Sequence, residues 1–197
     1  CKEEVSTLLK GTFMEYAPVI PVSAVTGEGL NHLRDEFAKI AKKFVHPEIE
    51  KPFRLYVDRS FTLKGFGTVV TGTVLTGSLS QDQEVVQYPQ SREIRIRGMQ
   101  SHGIKVKEAQ AGQRAALNLA GIAKEEIQRG NQLAKPESLL TGYMINVSLS
   151  LLKDAPTPLK NRTRVRLHLG TQELIGRIVL LEEESLSPGE TAMVQFH

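Results

Sequence analysis

The chain contains 197 residues, of which 24% are charged and 40% hydrophobic, a composition typical of a folded protein and not of a disordered one. It has no apolar run of the roughly 18 residues that a membrane-spanning helix needs, and no signal peptide opens it. One cysteine, Cys1, excludes an intrachain disulfide and a cysteine cluster for zinc. We therefore expect a reduced, cytoplasmic setting and no membrane partner. Because the first residue is not Met, we expect a piece of a longer protein.

Residues 1–47 have the pattern of the last part of an α/β unit. Apolar residues at helical spacing near the N-terminus predict a short helix, and an apolar stripe from Leu30 to Phe44 predicts an amphipathic one with a basic C-terminal end. Between them, the apolar run 18–22 is consistent with a buried strand. A strand and a helix cannot bury a sheet by themselves, so we expect the rest of that sheet to lie before Cys1.

A linker is predicted over residues 46–52, which contain two prolines and mixed charges. After it the hydrophobic period changes from 3.6 to 2, which indicates strands. Short strands separated by turn residues are typical of a small closed β-barrel, here residues 48–136. A helical interruption is predicted over 123–130. The predicted strands of this barrel are 53–57, 68–75, 84–88, 93–97 and 114–119.

Residues 137–197 have the pattern of a second all-β module. The predicted fold class is therefore mainly β, with two consecutive small β-barrels preceded by an α/β remnant. The predicted strands of the second module are 143–150, 162–169, 173–181 and 191–196.

The net charge of +3 is weak evidence for a nucleic-acid partner, but its distribution is uneven. Residues 1–47 carry no net charge, residues 137–197 carry −1, and residues 48–136 carry thirteen basic and nine acidic residues, for +4. A polyanion would be attracted to the middle region. An ordinary solvated surface explains the same excess, and charge alone leaves both interpretations open.

The sequence lacks the usual signatures of a self-contained catalytic site. It has no phosphate-binding G-x-x-x-x-G-K-[ST] loop, no H-E-x-x-H motif and no G-x-S-x-G motif, and its five histidines show no metal-ligand spacing. The glycines of loop 64–68 permit either a tight barrel corner or the close approach of a ligand to the backbone. Arginines alternate in two predicted strands, where they would form either a solvated sheet face or a surface for phosphates. They are Arg95, Arg97, Arg162, Arg164 and Arg166.

Three segments carry a resemblance to a known family. Residues 58–77, with the run Lys-Gly-Phe-Gly-Thr-Val-Val-Thr-Gly-Thr-Val-Leu, resemble the start of the second domain of translational GTPases of the elongation factor Tu type. Residues 112–121 followed by 127–130 resemble the end of that domain. Residues 23–30, Ser-Ala-Val-Thr-Gly-Glu-Gly-Leu, resemble the last guanine-contacting loop and the helix of the preceding GTPase domain.

The resemblance keeps the order of these motifs over essentially the whole chain, and it implies a role for each region. Residues 1–47 would be the C-terminal remnant of the GTPase domain. Residues 48–136 would be the barrel that binds the 3′ end of aminoacyl-tRNA. Residues 137–197 would be the barrel that contacts tRNA and the GTPase domain of the same protein.

Within that superfamily, the sequences of residues 57–61 and 64–75 are similar to those of the selenocysteine-specific elongation factors. The general factor usually carries acidic residues where Asp58 and Arg59 stand, and Asn where Arg114 stands. A selenol is more acidic than a thiol, whose reference pKa is about 8.5, so selenocysteine is largely an anion at neutral pH whereas serine is neutral. Each arginine could contribute about 1.5–3 kcal/mol to holding such an anion. Alternatively, Arg59 and Arg114 are paired surface residues, for example Arg59 with Asp58.

Other positions are carried over by motif match, as implications of the resemblance. Asp58 would lie near the terminal adenosine of tRNA, with Phe61 and Thr71 at flanking positions, and Gly65 and Gly67 would allow the tRNA 3′ end to approach the backbone. His102 would lie at the amino-acid end of the site, although a lone histidine is often only a structural hydrogen-bonding group. Ser23 and Ala24 would contact the guanine base when the rest of the GTPase domain is present. No catalytic residue and no metal ligand is predicted. The residues implied in the aminoacyl site are Asp58, Arg59, Phe61, Thr71, His102 and Arg114.

The implied function is GTP-dependent delivery of selenocysteinyl-tRNA to the ribosome, by a monomer. GTP and Mg²⁺ would bind the full-length protein, and we expect this chain to bind no cofactor and to hydrolyse no GTP because it lacks the phosphate-binding loop. Two alternatives stay open. The chain could be the tRNA-binding module of a general or initiation-type translational GTPase, or a structural barrel pair that docks ribosome or GTPase partners.

Overall fold

The structure is a computed structural model of the chain, and it describes residues 1–43 and 48–197. The chain divides into two compact units, residues 1–46 and residues 47–197. Phe44, the last position of the predicted apolar stripe, and the first two residues of the predicted linker lie outside the described residues.

The first unit contains two helices within its described residues, α1 (Lys2–Leu9) and α2 (Leu30–Lys43), which confirms the two helical predictions. Lys42 and Lys43 lie in the last turn of α2, where positive charge interacts favourably with the helix dipole. The predicted strand 18–22 is wrong, because these residues have no regular secondary structure. A strand requires a hydrogen-bonded neighbour, and no other strand is present in residues 1–43 to provide one. None of residues 1–43 is buried.

The second unit begins with a closed β-barrel, as predicted. Six strands pair in the order β4-β9-β1-β2-β8-β5, and a further pairing of β4 with β5 closes the ring. Strand β6 extends the ring from β5, and β3 pairs with β7 in a separate two-stranded sheet. The strands are β1 (Arg54–Leu63), β2 (Gly67–Thr76), β3 (Ser78–Ser80), β4 (Glu84–Tyr88), β5 (Arg92–Ser101), β6 (Ile104–Val106), β7 (Glu108–Gln110), β8 (Arg114–Leu119) and β9 (Gln132–Ala134).

The barrel core follows from the alternation of apolar and polar residues along these strands. Leu55 and Val57 of β1, and Leu117 and Leu119 of β8, are buried, whereas the residues between them face outward. The predicted helical interruption is a single 3₁₀ turn, Lys124–Glu126. Strand β1 ends six residues beyond its predicted end, because its outer half pairs with β2 in a long hairpin.

A β-bulge between Val57 and Arg59 brings β1 unusually close to Gly72 of β2. A Cβ atom at Gly72 would lie 2.1 Å from the main-chain oxygen of Tyr56 and 2.7 Å from a methyl carbon of Leu55. These distances are far below van der Waals contact, so only glycine fits this position without movement of the β1 backbone.

We expect Gly72→Ala to lower the free energy of unfolding by about 2 kcal/mol or more, because the added methyl group overlaps main-chain atoms. Chemical denaturation monitored by circular dichroism measures the effect. Gly98→Ala is the matched control, since a Cβ atom at Gly98 of β5 would have no atom within 4 Å. Equal stability of the two variants would contradict the close approach.

The remaining strands form a half-barrel, which agrees with the predicted class but is not a ring closed by strand pairing. A four-stranded sheet has the order β10-β15-β13-β12, and β11 pairs with β14. Both sheets contribute to one hydrophobic cluster that includes Leu159, Ile178 and Leu186. The strands are β10 (Ile145–Ser150), β11 (Leu159–Lys160), β12 (Arg164–Leu169), β13 (Gln172–Leu180), β14 (Ser185–Leu186) and β15 (Thr191–Phe196).

The closed barrel and the half-barrel are joined through the turn between β12 and β13. The hydroxyl of Thr171 donates to the main-chain oxygen of Val57 at 2.7 Å, and Nε of Arg129 donates to the main-chain oxygen of Thr171 at 3.0 Å. Because Val57 adjoins the bulge of β1, this junction lies next to the segment that carries Asp58 and Arg59. No helix in residues 1–43 or 48–197 is long and apolar enough to cross a membrane.

Candidate functional site

Three of the predicted site residues form a hydrogen-bonded group on the outside of the closed barrel. The Thr71 hydroxyl donates to Oδ1 of Asp58 at 2.7 Å. The guanidinium of Arg114 donates through Nη2 to Oδ1 of Asp58 at 3.1 Å and through Nη1 to Oδ2 of the same carboxylate. Nη2 of Arg114 also lies 3.2 Å from the Thr71 hydroxyl oxygen. Arg114 is therefore held in a fork on one carboxylate and is not a free cation.

Strand register explains why these distant residues meet. Arg59 of β1 lies opposite Thr71 of β2, and Arg114 of β8 lies opposite Thr73, two residues further along the same face of β2. The bulge inserts Asp58 as an extra residue beside Arg59. Asp58, Arg59, Thr71 and Arg114 thus share one outer patch, which we call the polar cluster.

Contacts within the polar cluster shift the pKa values of two of its members, Asp58 and Arg114. Partial burial of the Asp58 carboxyl opposes its ionisation, but hydrogen bonds from Arg114 and Thr71 and the charges of Arg114 and Arg59 outweigh this, so the pKa of Asp58 lies below its ordinary value. The hydrogen bond to Asp58 raises the pKa of Arg114. Asp58 is consequently ionised at any pH near neutrality, and it offsets the charge of Arg114.

Asp58→Asn should lower the free energy of unfolding by about 1 kcal/mol at neutral pH, because the variant loses the charge of a partly exposed ion pair. The pKa of Asp58 is lower in the folded than in the unfolded chain, so its contribution is present above the unfolded pKa and is lost as pH falls through the folded pKa. The difference in free energy of unfolding between wild type and variant should therefore shrink in acid.

Denaturation at several pH values measures this difference, with Asp82→Asn as the control, since Asp82 is 61% exposed and lies 3.6 Å from Arg95. A difference that does not change with pH would contradict the assignment.

Arg59 is the member of the polar cluster whose charge is available. Its side chain is exposed, and it makes no ion pair or side-chain hydrogen bond to any residue that the structure describes. With one carboxylate and two guanidinium groups, the polar cluster carries a formal charge of +1, and this charge lies mostly on Arg59. The alternative pairing of Arg59 with Asp58 is not observed: the Asp58 carboxylate pairs with Arg114 instead, and Arg59 has no carboxylate within 4.0 Å among the described residues.

The structure does not bring the His102 side chain into the polar cluster. His102 and Gly103 form the tight turn between β5 and β6, both with positive φ, and the imidazole is exposed. Its Nδ1 lies 3.1 Å from the hydroxyl oxygen of Ser101, and that hydroxyl donates to the main-chain oxygen of Arg114 at 3.0 Å. Because a serine has one hydroxyl proton, Nδ1 of His102 must be the donor to Ser101. His102 thus supports the backbone of Arg114.

A groove of about 370 Å³ lies beside the polar cluster on the same outer face. Its walls are the β1–β2 hairpin on one side and strands β5 and β6 on the other, and its floor contains Ala116, which lies opposite Thr71. We call it the outer groove. It is lined by Phe61, Leu63, Gly65, Phe66, Val69, Gln81, Arg97, Gly98, Met99, Gln100, Lys105, Val106, Ala116 and Asn118.

Two of the predicted residues, Phe61 and Gly65, therefore belong to the outer groove and not to the polar cluster. Gly65 and Gly67 both have φ of +83°, and a Cβ atom at either would meet no atom within 4 Å. The positive φ of the turn thus accounts for both glycines, with no contact from the described part of the chain needed to explain them. The amide nitrogen of Asn118 donates to the main-chain oxygen of Phe66 at 2.9 Å and holds this loop in place.

The sequence did not single out Phe66, Lys105 or Asn118, which the fold brings to the outer groove. The hydrogen bond to Phe66 fixes the orientation of the Asn118 amide, and its Oδ1 atom is buried without a partner among the described residues. The register of four strands creates this arrangement, and no local sequence signal would have revealed it.

The alternating arginines of the sequence have different surroundings. Arg95 lies 3.6 Å from Asp82, whereas Arg97 lines the outer groove. In the half-barrel, Arg164 lies directly opposite Arg177 on an exposed face. Like charges opposite each other destabilise a sheet unless an anion lies between them, so this face suits phosphate groups. Arg166 of β12 is 3.4 Å from Glu173, and Arg162 lies in the preceding turn with φ of +61° and not on the strand.

Comparison with known proteins identifies the family. Residues 67–134 match the family model described as elongation factor Tu domain 2. The chain is 42% identical over 193 residues to a selenocysteine-specific elongation factor of Desulfomicrobium baculatum, covering 98% of this chain and 30% of that protein. It is 31% identical over 188 residues to the selenocysteine-specific elongation factor of Escherichia coli, covering 92% of this chain and 29% of that protein. The chain is a homologue of the selenocysteine-specific elongation factors.

Solved structures of this family have the same fold. A bacterial selenocysteine-specific elongation factor, EF-Sec, is 30% identical and matches with a TM-score of 0.77, over 98% of this chain and 32% of that chain. The translation elongation factor SelB of Methanococcus maripaludis in its apo form matches with a TM-score of 0.85, over 100% of this chain and 46% of that chain, at 23% identity. The chain spans about a third of the length of the curated relatives of this family that it matches.

The two residues predicted to contact guanine, Ser23 and Ala24, lie in one loop of the first unit. Ser23 donates its N–H to the main-chain oxygen of Glu28 at 3.0 Å and accepts the N–H of Gly27 at 2.9 Å, which closes a compact loop, and Ala24 is exposed within it. Residues 1–43 and 48–197 contain no group of three or more His, Cys, Asp or Glu side chains placed to hold a metal ion.

Proposed function

We propose that this chain supplies the aminoacyl-tRNA-binding barrels of an elongation factor that delivers selenocysteinyl-tRNA to the ribosome in a GTP-dependent manner. The names of its relatives support this. The observation that carries it is the exposed Arg59, which has no acidic partner among the residues that the structure describes and lies beside the Asp58–Arg114 pair. In the same proposal the protein works as a monomer in the cytoplasm. GTP and Mg²⁺ bind the full-length protein, where Ser23 and Ala24 contribute backbone contacts to the guanine.

Arg59 provides the chemical distinction between selenocysteine and serine. An ionised selenol gains a charge-assisted hydrogen bond from a guanidinium group, whereas a neutral hydroxyl gains much less. Arg114 contributes less than Arg59, because its fork is already engaged by Asp58. The Asp58 carboxylate would also repel an anion placed against it, so the selenolate should lie on the Arg59 side of the polar cluster.

The outer groove is the proposed site of the terminal adenosine. It adjoins the polar cluster, which agrees with an amino acid esterified to that nucleotide. Phe61 and Phe66 give it aromatic walls, and bases stack well on such side chains. Thr71 then lies between the nucleotide and the amino acid, while His102 acts only by holding the Arg114 backbone.

Binding of one tRNA body charged with selenocysteine or with serine tests the proposal. We expect the chain to bind selenocysteinyl-tRNA more tightly than seryl-tRNA, with both affinities falling as salt rises. Equal affinity for the two would favour the tRNA-binding module of a general or initiation-type factor. No measurable affinity for either tRNA would favour a structural barrel pair that docks protein partners.

A further inference from the structure

Two basic residues, Arg97 and Lys105, line the outer groove, and neither belongs to the polar cluster. Arg97 lies at a register shift in the pairing of β5 with β8, between Ile96 and Gly98. Lys105 of β6 lies opposite Gln100 of β5. Both side chains are exposed and line the same groove.

Neither of these cations is neutralised by the part of the chain that the structure describes. Three other arginines of the closed barrel have carboxylate partners, since Arg92 lies 2.5 Å from Glu126, Arg95 lies 3.6 Å from Asp82 and Arg114 is paired with Asp58. Arg97 and Lys105 have no such partner within 4.0 Å in residues 1–43 and 48–197. No acidic residue is among the described residues that line the groove.

The lining thus combines two unneutralised cations with aromatic and aliphatic walls. A ligand that joins an anion to an aromatic ring suits both the cations and the apolar walls. Its ring would pack against Phe61 and Phe66 while its anion lies between the two cations. A volume of about 370 Å³ is at the small end of ligand-binding clefts, which suits one nucleotide.

We infer that Arg97 and Lys105 bind the phosphodiester that joins the last two nucleotides of the bound RNA. This inference rests on the proposed function and adds a phosphate-binding pair to it. The contact is with the backbone, so it positions the RNA end in the groove and carries no information on the amino acid. It also fixes a direction, since the phosphate lies towards β5 and β6 and the amino acid towards the polar cluster.

The test uses an acceptor-stem minihelix with a single-stranded CCA end, made with either an ordinary phosphodiester or an uncharged methylphosphonate at the last linkage. For the wild-type chain we expect the methylphosphonate to weaken binding about tenfold, because it removes a charge held by two cations. For Arg97→Gln/Lys105→Gln the two RNAs should bind equally. Arg95→Gln/Lys107→Gln, which removes the same charge outside the groove lining, should keep the tenfold difference.

The outcomes separate the inference from the proposed function. If the minihelix binds and the methylphosphonate weakens the Arg97→Gln/Lys105→Gln variant as much as the wild type, the phosphate contact lies elsewhere and the inference is wrong, while RNA binding stands. If the wild-type chain does not distinguish the two RNAs, the inference is equally wrong. If no minihelix and no complete tRNA binds, the proposed function fails and the inference fails with it.

Discussion

Arg59→Met is expected to remove the preference for selenocysteinyl-tRNA over seryl-tRNA, a loss of roughly 1–3 kcal/mol of binding free energy. Met keeps the length and apolar stem of the side chain and removes only its charge and donors. Because Arg59 is exposed and has no acidic partner among the described residues, the variant should fold normally. Affinity for seryl-tRNA should change little. Equilibrium binding of both charged tRNAs at constant salt measures the ratio.

Two further variants make this prediction specific. Asp58→Asn frees the Arg114 guanidinium from its carboxylate, so the preference for the anionic cargo should be kept or increased, opposite in sign to the effect of Arg59→Met. Arg95→Met removes an equivalent charge outside the polar cluster and should leave the ratio unchanged. If Arg95→Met lowered the ratio as much as Arg59→Met does, a general loss of positive charge would explain the effect better than Arg59 does. A lower ratio in Asp58→Asn would contradict recognition of an anionic cargo by the charge of the polar cluster.

Phe61→Ala is expected to weaken binding of both charged tRNAs by the same factor, about 10- to 100-fold, because it removes a stacking surface for the terminal base. The ratio between selenocysteine and serine should stay as in the wild type, since Phe61 belongs to the outer groove and not to the polar cluster. Binding measurements with both tRNAs test this directly.

Leu75→Ala is the control for the loss of apolar surface, because Leu75 is 47% exposed on β2 and does not line the groove. Its effect on tRNA affinity should be small. A change in the ratio caused by Phe61→Ala, or an equal loss from Leu75→Ala, would contradict the assignment of the groove to the terminal nucleotide.

Much of the fold could be predicted because period-2 alternation is strong in long strands. The five predicted strands of the closed barrel are all present. The strands that were missed are short, too short for a pattern to emerge: β3, β6, β7 and β9 have three residues each, and β11 and β14 have two. Apolar residues 18–22 show the opposite error, because a strand-like sequence forms a strand only where a neighbouring strand pairs with it.

The candidate site was predictable as a set of residues but not as an arrangement. Motif match selected Asp58, Thr71 and Arg114, which do meet. It could not show that Asp58 occupies the fork of Arg114, since this depends on a bulge and on the register of three strands. His102 lies in a tight turn between β5 and β6 with its side chain hydrogen-bonded to Ser101, and its place at the amino-acid end of the site stays a prediction.

The most direct measurement of the central claim is the affinity of the wild-type chain for one tRNA body carrying selenocysteine or serine, from neutral pH to below the pKa of the selenol. Asp58 stays ionised over this range because its pKa is held below the ordinary value, so the polar cluster keeps its charge. We predict that selenocysteinyl-tRNA binds more tightly at neutral pH and that the difference disappears as the selenol is protonated, while affinity for seryl-tRNA stays nearly constant. A preference for selenocysteine that does not change with pH would contradict recognition of an anion by Arg59.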